Sequence, residues 1–216
     1  VASRGLGDVY KRQGCESSRP GANSITEIEE LNRLGQFLEL IPNFKQQLSI
    51  DTYKPNVARF GLKNGFSMIN DINGGGKKGE MFEIAAEFKC PIIIMHMKGN
   101  PANMQNNPKY DDIIDELLGF FEKQIISAKE IGLSDDQIIL DPGIGFGKNL
   151  KHNLTLISKI SLFHSLGFPI LIGTSRKRFI SQISGKNDSK ERIGGTIASD
   201  LFLLSQGVQV FRVHNV

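Results

Sequence analysis

The side chains in this sequence that could do chemistry stand at the ends of short apolar runs. Six runs, each four to seven residues long, are almost free of charge before their last positions: 48–51, 66–71, 91–97, 137–143, 168–174 and 208–214. The polar residues at or just past their ends are Asp51, Asn70, His96, Asp141, Ser175 and the pair Arg212 and His214. One or two polar residues could merely mark where a strand stops. Six such ends are better explained by side chains that meet at one site.

Asp141 gives the sharpest expectation of a ligand. It lies in ILDPGIGFGK (139–148), and a buried carboxylate is costly unless something pairs with it. A heterocycle that presents an amino group beside a ring N–H, as guanine and pterin do, is a natural bidentate partner. The glycines that follow Asp141 occur at every second position, which fits neither the dinucleotide-binding pattern nor the Walker pattern.

Two basic segments near the C-terminal end of the chain indicate an anion site. GTSRKRF (173–179) places three cations after an apolar run, and in RVHNV (212–216) Arg212 and His214 lie on the same side of a strand. A solvated loop or a nucleic-acid patch is the alternative for the first segment, although three positive charges alone make a poor nucleic-acid footprint. The Arg and His pair could bind pyrophosphate and stabilise it as a leaving group.

Other segments have simpler structural interpretations. ESSRPGA (16–22) places Ser18 and Arg19 before a Pro-Gly turn, where Arg19 could offer a planar donor fork but could equally be solvated. Asp51 could merely cap the next helix, and Asn70 precedes a glycine run of the kind that usually forms a tight turn. A lone His beside methionines, as in MHM, is more often packed in a core than bound to a metal.

The elements that must position these residues alternate along the chain. The apolar runs resemble parallel strands that are buried on both faces, and helix-like segments precede or separate them: 24–41, 54–64, 79–89, 109–131, 151–166 and 191–206. This alternation predicts a parallel α/β fold, either a doubly wound sheet or a closed barrel. Polar residues at six different strand ends favour the barrel, because an open sheet would concentrate them at one switch point.

Composition limits the class of protein. A length of 216 residues suits one domain, slightly short of a complete barrel of roughly 250 residues. The net charge of +3 does not indicate a nucleic-acid partner, and no run approaches the roughly 18 apolar residues of a membrane span. Cys15 and Cys90 have no metal-ligand spacing. The sequence therefore predicts a soluble, reduced, cytoplasmic protein that binds neither nucleic acid nor membrane.

Seven segments taken in order resemble the dihydropteroate synthase family of pterin-binding barrels over residues 14–216. They are ESSRPGA, SIDTYKP, INDINGG, MHMKGNP, LDPGIGFGK, GTSRKRF and RVHNV. The resemblance implies a (β/α)8 TIM-barrel transferase of folate biosynthesis. Such an enzyme condenses 6-hydroxymethyl-7,8-dihydropterin pyrophosphate with p-aminobenzoate, with Mg2+ assistance, and releases pyrophosphate. Family members are commonly homodimers.

The resemblance also implies roles for individual residues. The pterin-binding residues would be Asp51, Asn70, Asp141 and Lys177. The residues on the p-aminobenzoate side would be Ser18, Arg19 and Ser175. Pyrophosphate would be bound by Arg212 and His214, and the catalytic residues would be Asp51, Lys177 and Arg19. No metal ligand is assigned, because the family's Asn ligand lies in a first loop that this sequence does not contain.

The sequence also departs from the family pattern. The first strand and its Asn-bearing loop are absent, the last helix is missing, and Cys15 stands where glycine is usual. VYKRQG (9–14) replaces an apolar second strand, and residues 10–13 would bury charge without partners. We therefore interpret 1–13 as non-family or damaged sequence and 14–216 as a partial barrel. An incomplete barrel exposes two strand edges, so this chain is expected to fold poorly and to be inactive.

Two alternative functions remain open at this point. A pterin-binding methyltransferase domain shares the barrel and the carboxylates, but should lack the SRK loop and the terminal Arg-x-His pair that this sequence contains. The other alternative is an inactive barrel fragment that binds a pterin-like ligand without turnover.

Overall fold

The computed structural model describes residues 10–17, 21–41, 46–76 and 79–214. Within these residues no helix is both long enough and apolar enough to cross a membrane. Strands and helices alternate along them, as the sequence predicts.

The strands of the described residues are parallel and pair in chain order. They are β1 (Tyr10–Gln13), β2 (Gln47–Asp51), β3 (Phe66–Asp71), β4 (Ile92–Met95), β5 (Ile138–Asp141), β6 (Leu171–Ile172) and β7 (Val210–Phe211). β1 to β5 form one sheet, β6 pairs with β7, and a parallel bridge between Leu140 and Ile170 links the two groups. Spatial order that equals chain order is typical of a (β/α) barrel, whereas a doubly wound sheet reverses its order at a switch point.

Helices connect consecutive strands. They are α1 (Glu27–Leu40), α2 (Pro55–Lys63), α3 (Glu80–Phe88), α4 (Ile113–Ile131), α5 (Leu150–Ser158), α6 (Arg178–Ser184) and α7 (Ile193–Ser205). Short 3-10 helices occupy Asp135–Gln137, Ile160–Leu166 and Ser189–Arg192. The six helical segments that the sequence predicts are confirmed, except that 151–166 divides into α5 and a 3-10 helix. α6 begins at the end of the basic segment 173–179 and is not predicted.

One apolar cluster fills the space enclosed by the strands. Its buried members are Met68, Ile93, Ile139 and Leu171, and Tyr10 and Val210 pack against them. These six residues come from six different strands. Because Tyr10 belongs to the first strand and Val210 to the last, the sheet curves so that both ends face a common interior. The predicted barrel is therefore confirmed, and the open sheet is not.

A second and larger core lies between the strands and the helices. The strands contribute Ile50, Ile69, Ile92, Ile94, Leu140 and Ile172, and the helices contribute Leu34, Val57, Phe82, Leu117, Leu156, Phe179 and Leu203. Side chains alternate between the two cores along β4, β5 and β6, as expected for strands buried on both faces.

Residues 10–13 form a strand, which the sequence-based interpretation did not expect. Arg12 does not lack a partner, because its Nη2 lies 2.7 Å from Asp51 Oδ2 on the neighbouring strand β2. Tyr10 packs into the barrel interior, and Lys11 points outward and is exposed. The expectation that this segment would bury unpaired charge is therefore wrong.

Candidate active site

The residues at the strand ends, most of them polar, form a layer above the interior cluster. Because side chains alternate, the residue two positions after each inward-facing residue points the same way. In chain order this layer consists of Arg12, Asp51, Asn70, Met95, Asp141, Gly173 and Arg212. The strand ends thus bring together residues that lie far apart in the sequence, at one end of the barrel.

A cavity of about 1300 Å³ opens at this end of the barrel. Of the residues predicted from the sequence, those that line it are Asp51, Ser175, Lys177, Arg212 and His214. Asn70 and Asp141 are buried and do not line it, but each lies beside a residue that does. Ser18 and Arg19 lie outside the described residues, and the preceding Glu16 and Ser17 line the cavity.

Asp51, Asn70 and Arg12 form a connected group on one side of the cavity. The amide of Asn70 donates a hydrogen bond of 2.7 Å to Asp51 Oδ1, and Arg12 pairs with the other carboxylate oxygen. Among the described residues no donor reaches Asn70 Oδ1, although this oxygen is buried. A buried acceptor without a donor is costly, so Asn70 Oδ1 is a candidate contact for a ligand donor.

Asp141 is held by the turn that follows it. Its Oδ1 accepts a 2.7 Å hydrogen bond from the Gly143 N–H, and its backbone carbonyl accepts one from His96 N–H. A Cβ at Gly143, where φ is +68°, would lie 2.1 Å from the His96 carbonyl oxygen. The glycine is therefore required for the turn to approach β4 this closely.

Lys177 directly precedes α6 and points inward. Its ammonium donates a hydrogen bond to the Ile144 carbonyl and lies 4.7 Å from the centroid of the Phe146 ring. Burial holds the pKa of Lys177 well below its usual value, and Arg212 lowers that pKa further while Asp141 opposes the change. An anion bound here would reverse part of this effect.

Arg212 and His214 follow β7 and lie on the same side of the chain. Burial, and then the charge of Arg12, lower the pKa of Arg212, while Asp141 and Asp51 raise it. His214 is held by Ser175, whose hydroxyl lies 2.8 Å from His214 Nδ1 and accepts a 3.3 Å hydrogen bond from His214 N–H. Ser175 therefore orients a residue of the predicted pyrophosphate pair.

Lys148 is a cavity residue that sequence reasoning did not single out. Its buried ammonium lies 3.0 Å from His96 Nδ1 and donates hydrogen bonds to the carbonyls of Phe146 and His96. Burial lowers the pKa of Lys148 to about 7. The only sign in the sequence that Lys148 belongs to the site is its position at the end of the glycine-rich segment. A lysine after such a loop is usually solvated.

His96 is a packed residue, as the sequence predicts. Its ring meets the edge of Phe120 with centroids 4.9 Å apart. Burial and then Lys148 lower the pKa of His96 to about 2, so the imidazole is neutral. His96 therefore serves as an acceptor for Lys148 near neutral pH.

The segment that leads to Ser18 and Arg19 is anchored by a buried ion-pair group. Lys54 donates hydrogen bonds to Glu16, to Glu30 Oε2 at 2.7 Å and to the Ile25 carbonyl. Tyr53 Oη donates a 2.9 Å hydrogen bond to the same Glu16. The start of this segment is thus tied to α1 and to the loop after β2.

The cavity is strongly basic although the whole chain carries a net charge of only +3. Its basic lining residues are Arg12, Arg33, Lys148, Arg176, Lys177, Arg178, Arg192 and Arg212, and its acidic ones are Glu16 and Asp51. A concave surface with this excess of cations attracts anions. Within the part of the chain that the structure describes, no group of three His, Cys, Asp or Glu side chains could hold a metal ion.

Comparisons with known proteins agree with this geometry. The profile of the "Pterin binding enzyme" family matches residues 13–214. A dihydropteroate synthase of Synechocystis sp. is 43% identical over 207 residues, which cover 94% of this chain and 71% of that protein.

Solved structures of dihydropteroate synthases are also similar. The Yersinia pestis enzyme, solved as a sulfonamide drug complex, has a TM-score of 0.90 and 37% identity, with 97% of this chain and 76% of that chain covered. The Thermus thermophilus enzyme in complex with 4-aminobenzoate has a TM-score of 0.88 and 38% identity, with 95% and 78% covered. The same enzyme in complex with 6HMPPP has a TM-score of 0.81 and 39% identity, with 87% and 74% covered.

Proposed function

This chain belongs to the dihydropteroate synthase family of pterin-binding enzymes, and we propose that it joins 6-hydroxymethyl-7,8-dihydropterin pyrophosphate to p-aminobenzoate. The products would be 7,8-dihydropteroate and pyrophosphate. The observation that carries the proposal is a single cavity lined by Asp51 and several cations, with the buried Asn70 and Asp141 beside its lining residues. A pterin ring needs hydrogen-bond acceptors, and its diphosphate needs cations.

Asp141, Asn70 and Asp51 are proposed to bind the pterin. Asp141 uses one oxygen for the Gly143 N–H, so its second oxygen can accept a hydrogen bond from the ring. Asn70 Oδ1 is a buried acceptor that a ring donor would satisfy. The ammonium of Lys177 donates a hydrogen bond to the Ile144 carbonyl. We propose that it turns toward the pterin ring and its diphosphate when they bind.

Arg212, His214 and Lys177 are proposed to stabilise the leaving group. When the C–O bond to pyrophosphate breaks, negative charge accumulates on the departing oxygen, and fixed cations lower the energy of that state. The aniline nitrogen then forms the new C–N bond at the pterin methylene carbon and loses a proton to solvent. This nucleophile requires no strong base, and none is assigned.

Ser18, Arg19 and Ser175 are proposed to lie on the p-aminobenzoate side. Ser175 lines the cavity next to His214, and Glu16 and Ser17 line it at the start of the segment that carries Ser18 and Arg19. The complex of the Thermus thermophilus relative with 4-aminobenzoate supports this assignment of ligand class.

Participation of Mg2+ rests on the family alone. The described residues contain no group of three His, Cys, Asp or Glu side chains that could hold a metal ion, and no step of the reaction is assigned to one. Titration with and without Mg2+ measures whether ligand binding depends on the metal.

A cytoplasmic homodimer is proposed as the form in which the chain works. The outward face of α7 is apolar and exposed, and its residues are Ile193, Ile197, Leu201 and Leu204. Exposed apolar patches of this kind often mark protein contacts. Light scattering of the purified chain would test the dimer, and fractionation of cells would test the location.

The decisive experiment combines product formation with calorimetry. We expect the pterin diphosphate to bind more tightly than the same pterin without its diphosphate. Arg212→Ala should remove that difference, and Lys177→Ala and Arg212→Ala should each abolish dihydropteroate formation. Lys159→Ala, at an exposed position, and Arg59→Ala, at a half-buried position, are matched controls that do not line the cavity.

Each outcome has a definite meaning. Binding that ignores the diphosphate would contradict the proposal and favour the methyltransferase alternative. Diphosphate-selective binding without product would favour the barrel that binds without turnover, and would agree with the expectation that this chain is inactive. The division into 1–13 and 14–216 stays a prediction.

A further inference from the structure

The loop between β6 and α6 contains a turn with an unfavourable backbone conformation. Lys177 N–H donates a 3.0 Å hydrogen bond to the Thr174 carbonyl, which closes a four-residue turn. At its third position Arg176 adopts φ +57°. Turns with a positive φ at this position usually carry Gly or Asn there, because a Cβ is strained in the left-handed region.

Two residues of α7, Thr196 and Asp200, contact this turn, and so does Arg192, which directly precedes the helix. Thr196 Oγ1 accepts a 3.0 Å hydrogen bond from the Arg176 N–H, and Arg192 Nη1 donates one of 2.9 Å to the Arg176 carbonyl. Asp200 accepts a hydrogen bond from the buried hydroxyl of Thr174. Since Arg192, Thr196 and Asp200 are spaced by four residues, they lie on the same side of the helix.

Two of these side chains also bond to other backbone groups. The Thr196 hydroxyl also donates a 2.9 Å hydrogen bond to the Arg192 carbonyl. The Arg192 guanidinium also donates to the carbonyls of Lys186 and Asn187. Both backbone groups of the strained residue are therefore bonded to the side chains of Arg192 and Thr196, which is the arrangement expected where neighbouring structure enforces an unfavourable conformation.

We propose that Arg192, Thr196 and Asp200, here called the α7 clamp, hold the turn in the left-handed conformation from which Ser175 and Lys177 reach the cavity. The clamp residues are positioning residues for the reaction proposed above, and the kinetic part of this inference rests on that proposed function. Ser175 contacts His214, and Lys177 contacts the Ile144 carbonyl, so the two neighbours of Arg176 have different partners but line the same cavity.

The choice of Arg at position 176 agrees with a functional role for the turn. Glycine would adopt this backbone without strain. The Arg176 side chain, however, lines the cavity. The α7 clamp allows Arg176, whose side chain lines the cavity, to adopt a left-handed backbone conformation that otherwise favours glycine.

Amide hydrogen exchange of the full chain without ligand tests the clamp directly. Thr196→Val removes the hydroxyl but keeps the shape, and Thr196→Ser restores the hydroxyl. We expect Thr196→Val to speed the exchange of the Arg176 and Lys177 amides about tenfold, with Thr196→Ser close to the wild type. Thr155→Val in α5 is the matched control and should leave both amides unchanged. Unchanged exchange in Thr196→Val would overturn the proposal.

A double-mutant comparison tests whether the clamp acts through the strain at Arg176. Thr196→Val is measured in two backgrounds, Arg176→Ala, which keeps a Cβ, and Arg176→Gly, which does not. We expect it to lower kcat/KM about tenfold in the alanine background and about threefold or less in the glycine background. Equal factors in the two backgrounds would refute a role that depends on backbone strain.

The two experiments also separate this inference from the proposed function. Faster amide exchange in Thr196→Val supports the clamp even if the chain forms no dihydropteroate. The absence of dihydropteroate would count against the proposed function alone. Product formation with unchanged amide exchange would support the proposed function and reject the clamp.

Discussion

Arg212 can lie across the end of β6 because residue 173 has no side chain. A Cβ at Gly173 would lie 2.9 Å from Arg212 Nε, closer than such atoms normally approach. The φ angle at this glycine is not positive, so the requirement concerns space and not backbone freedom. A glycine that looks like ordinary loop sequence thus helps to place a cation of the site.

We predict that Gly173→Ala lowers kcat/KM by about 10- to 100-fold, because displacement of a positioned group by about 1 Å can cost that much. The change should act mainly on the pterin diphosphate and leave the free energy of unfolding nearly unaltered. Steady-state kinetics with each substrate would measure it. Gly119→Ala, at a helical position with no atom near its Cβ, is the matched control. Wild-type kinetics in Gly173→Ala would show that the guanidinium needs no such space.

At the level of single residues, the candidate site was only partly predictable. Asp51, Lys177, Arg212 and the other predicted side chains that the structure describes do come together at one end of the barrel, but their roles stay predictions. The pairing of Arg12 with Asp51 was missed, because the two residues face each other only once β1 and β2 are in register.

Helices and strands are predicted well from the sequence where the periodicity of their apolar residues is strong. In α4 the residues Leu117, Phe121 and Ala128 recur at helical spacing, and all three are buried. Phe120 also lies at helical spacing from Leu117, but it is only partly buried and turns toward His96. α6 was missed because a run of basic residues hides its start, and β1 was missed because its sequence is polar.

Removal of the Phe121 side chain is predicted to destabilise the barrel by about 3–5 kcal/mol, because it leaves a cavity between α4 and its neighbours. The fully buried ring meets Phe163 with centroids 6.1 Å apart. Urea unfolding of Phe121→Ala would measure the loss. Ile126→Ala, on the exposed side of the same helix, should change stability by about 0.5 kcal/mol or less. Similar losses in both variants would mean that α4 does not pack as described.

The stability of the whole molecule should depend on pH through Lys148. Its pKa is about 7 when folded and 10.5 without the fold, so between these values the unfolded chain binds one proton more. The free energy of unfolding therefore rises with pH across this window, by about 1.4 kcal/mol per pH unit from this group. The stability that Lys148 contributes is lost as pH falls toward 7.

We predict that Lys148→Met loses this part of the pH dependence. Urea unfolding at pH 7, 8 and 9 would compare it with the wild type and with Lys159→Met, which removes an exposed lysine. His96 stays neutral throughout this range, since its pKa is about 2. Equal slopes in Lys148→Met and the wild type would mean that Lys148 keeps its proton when buried.

The sequence by itself determined the family, the parallel barrel and the residues that stand at the strand ends. These depend on local patterns, namely apolar runs, alternation along a strand and turn residues in a fixed order. Only the tertiary structure decided which charges meet and which backbone is strained. Lys148 reaches His96 across 52 residues of chain, and Arg192 holds Arg176 across 16. Such contacts depend on how neighbouring elements pack against each other. The spacing of residues along one element does not determine that packing.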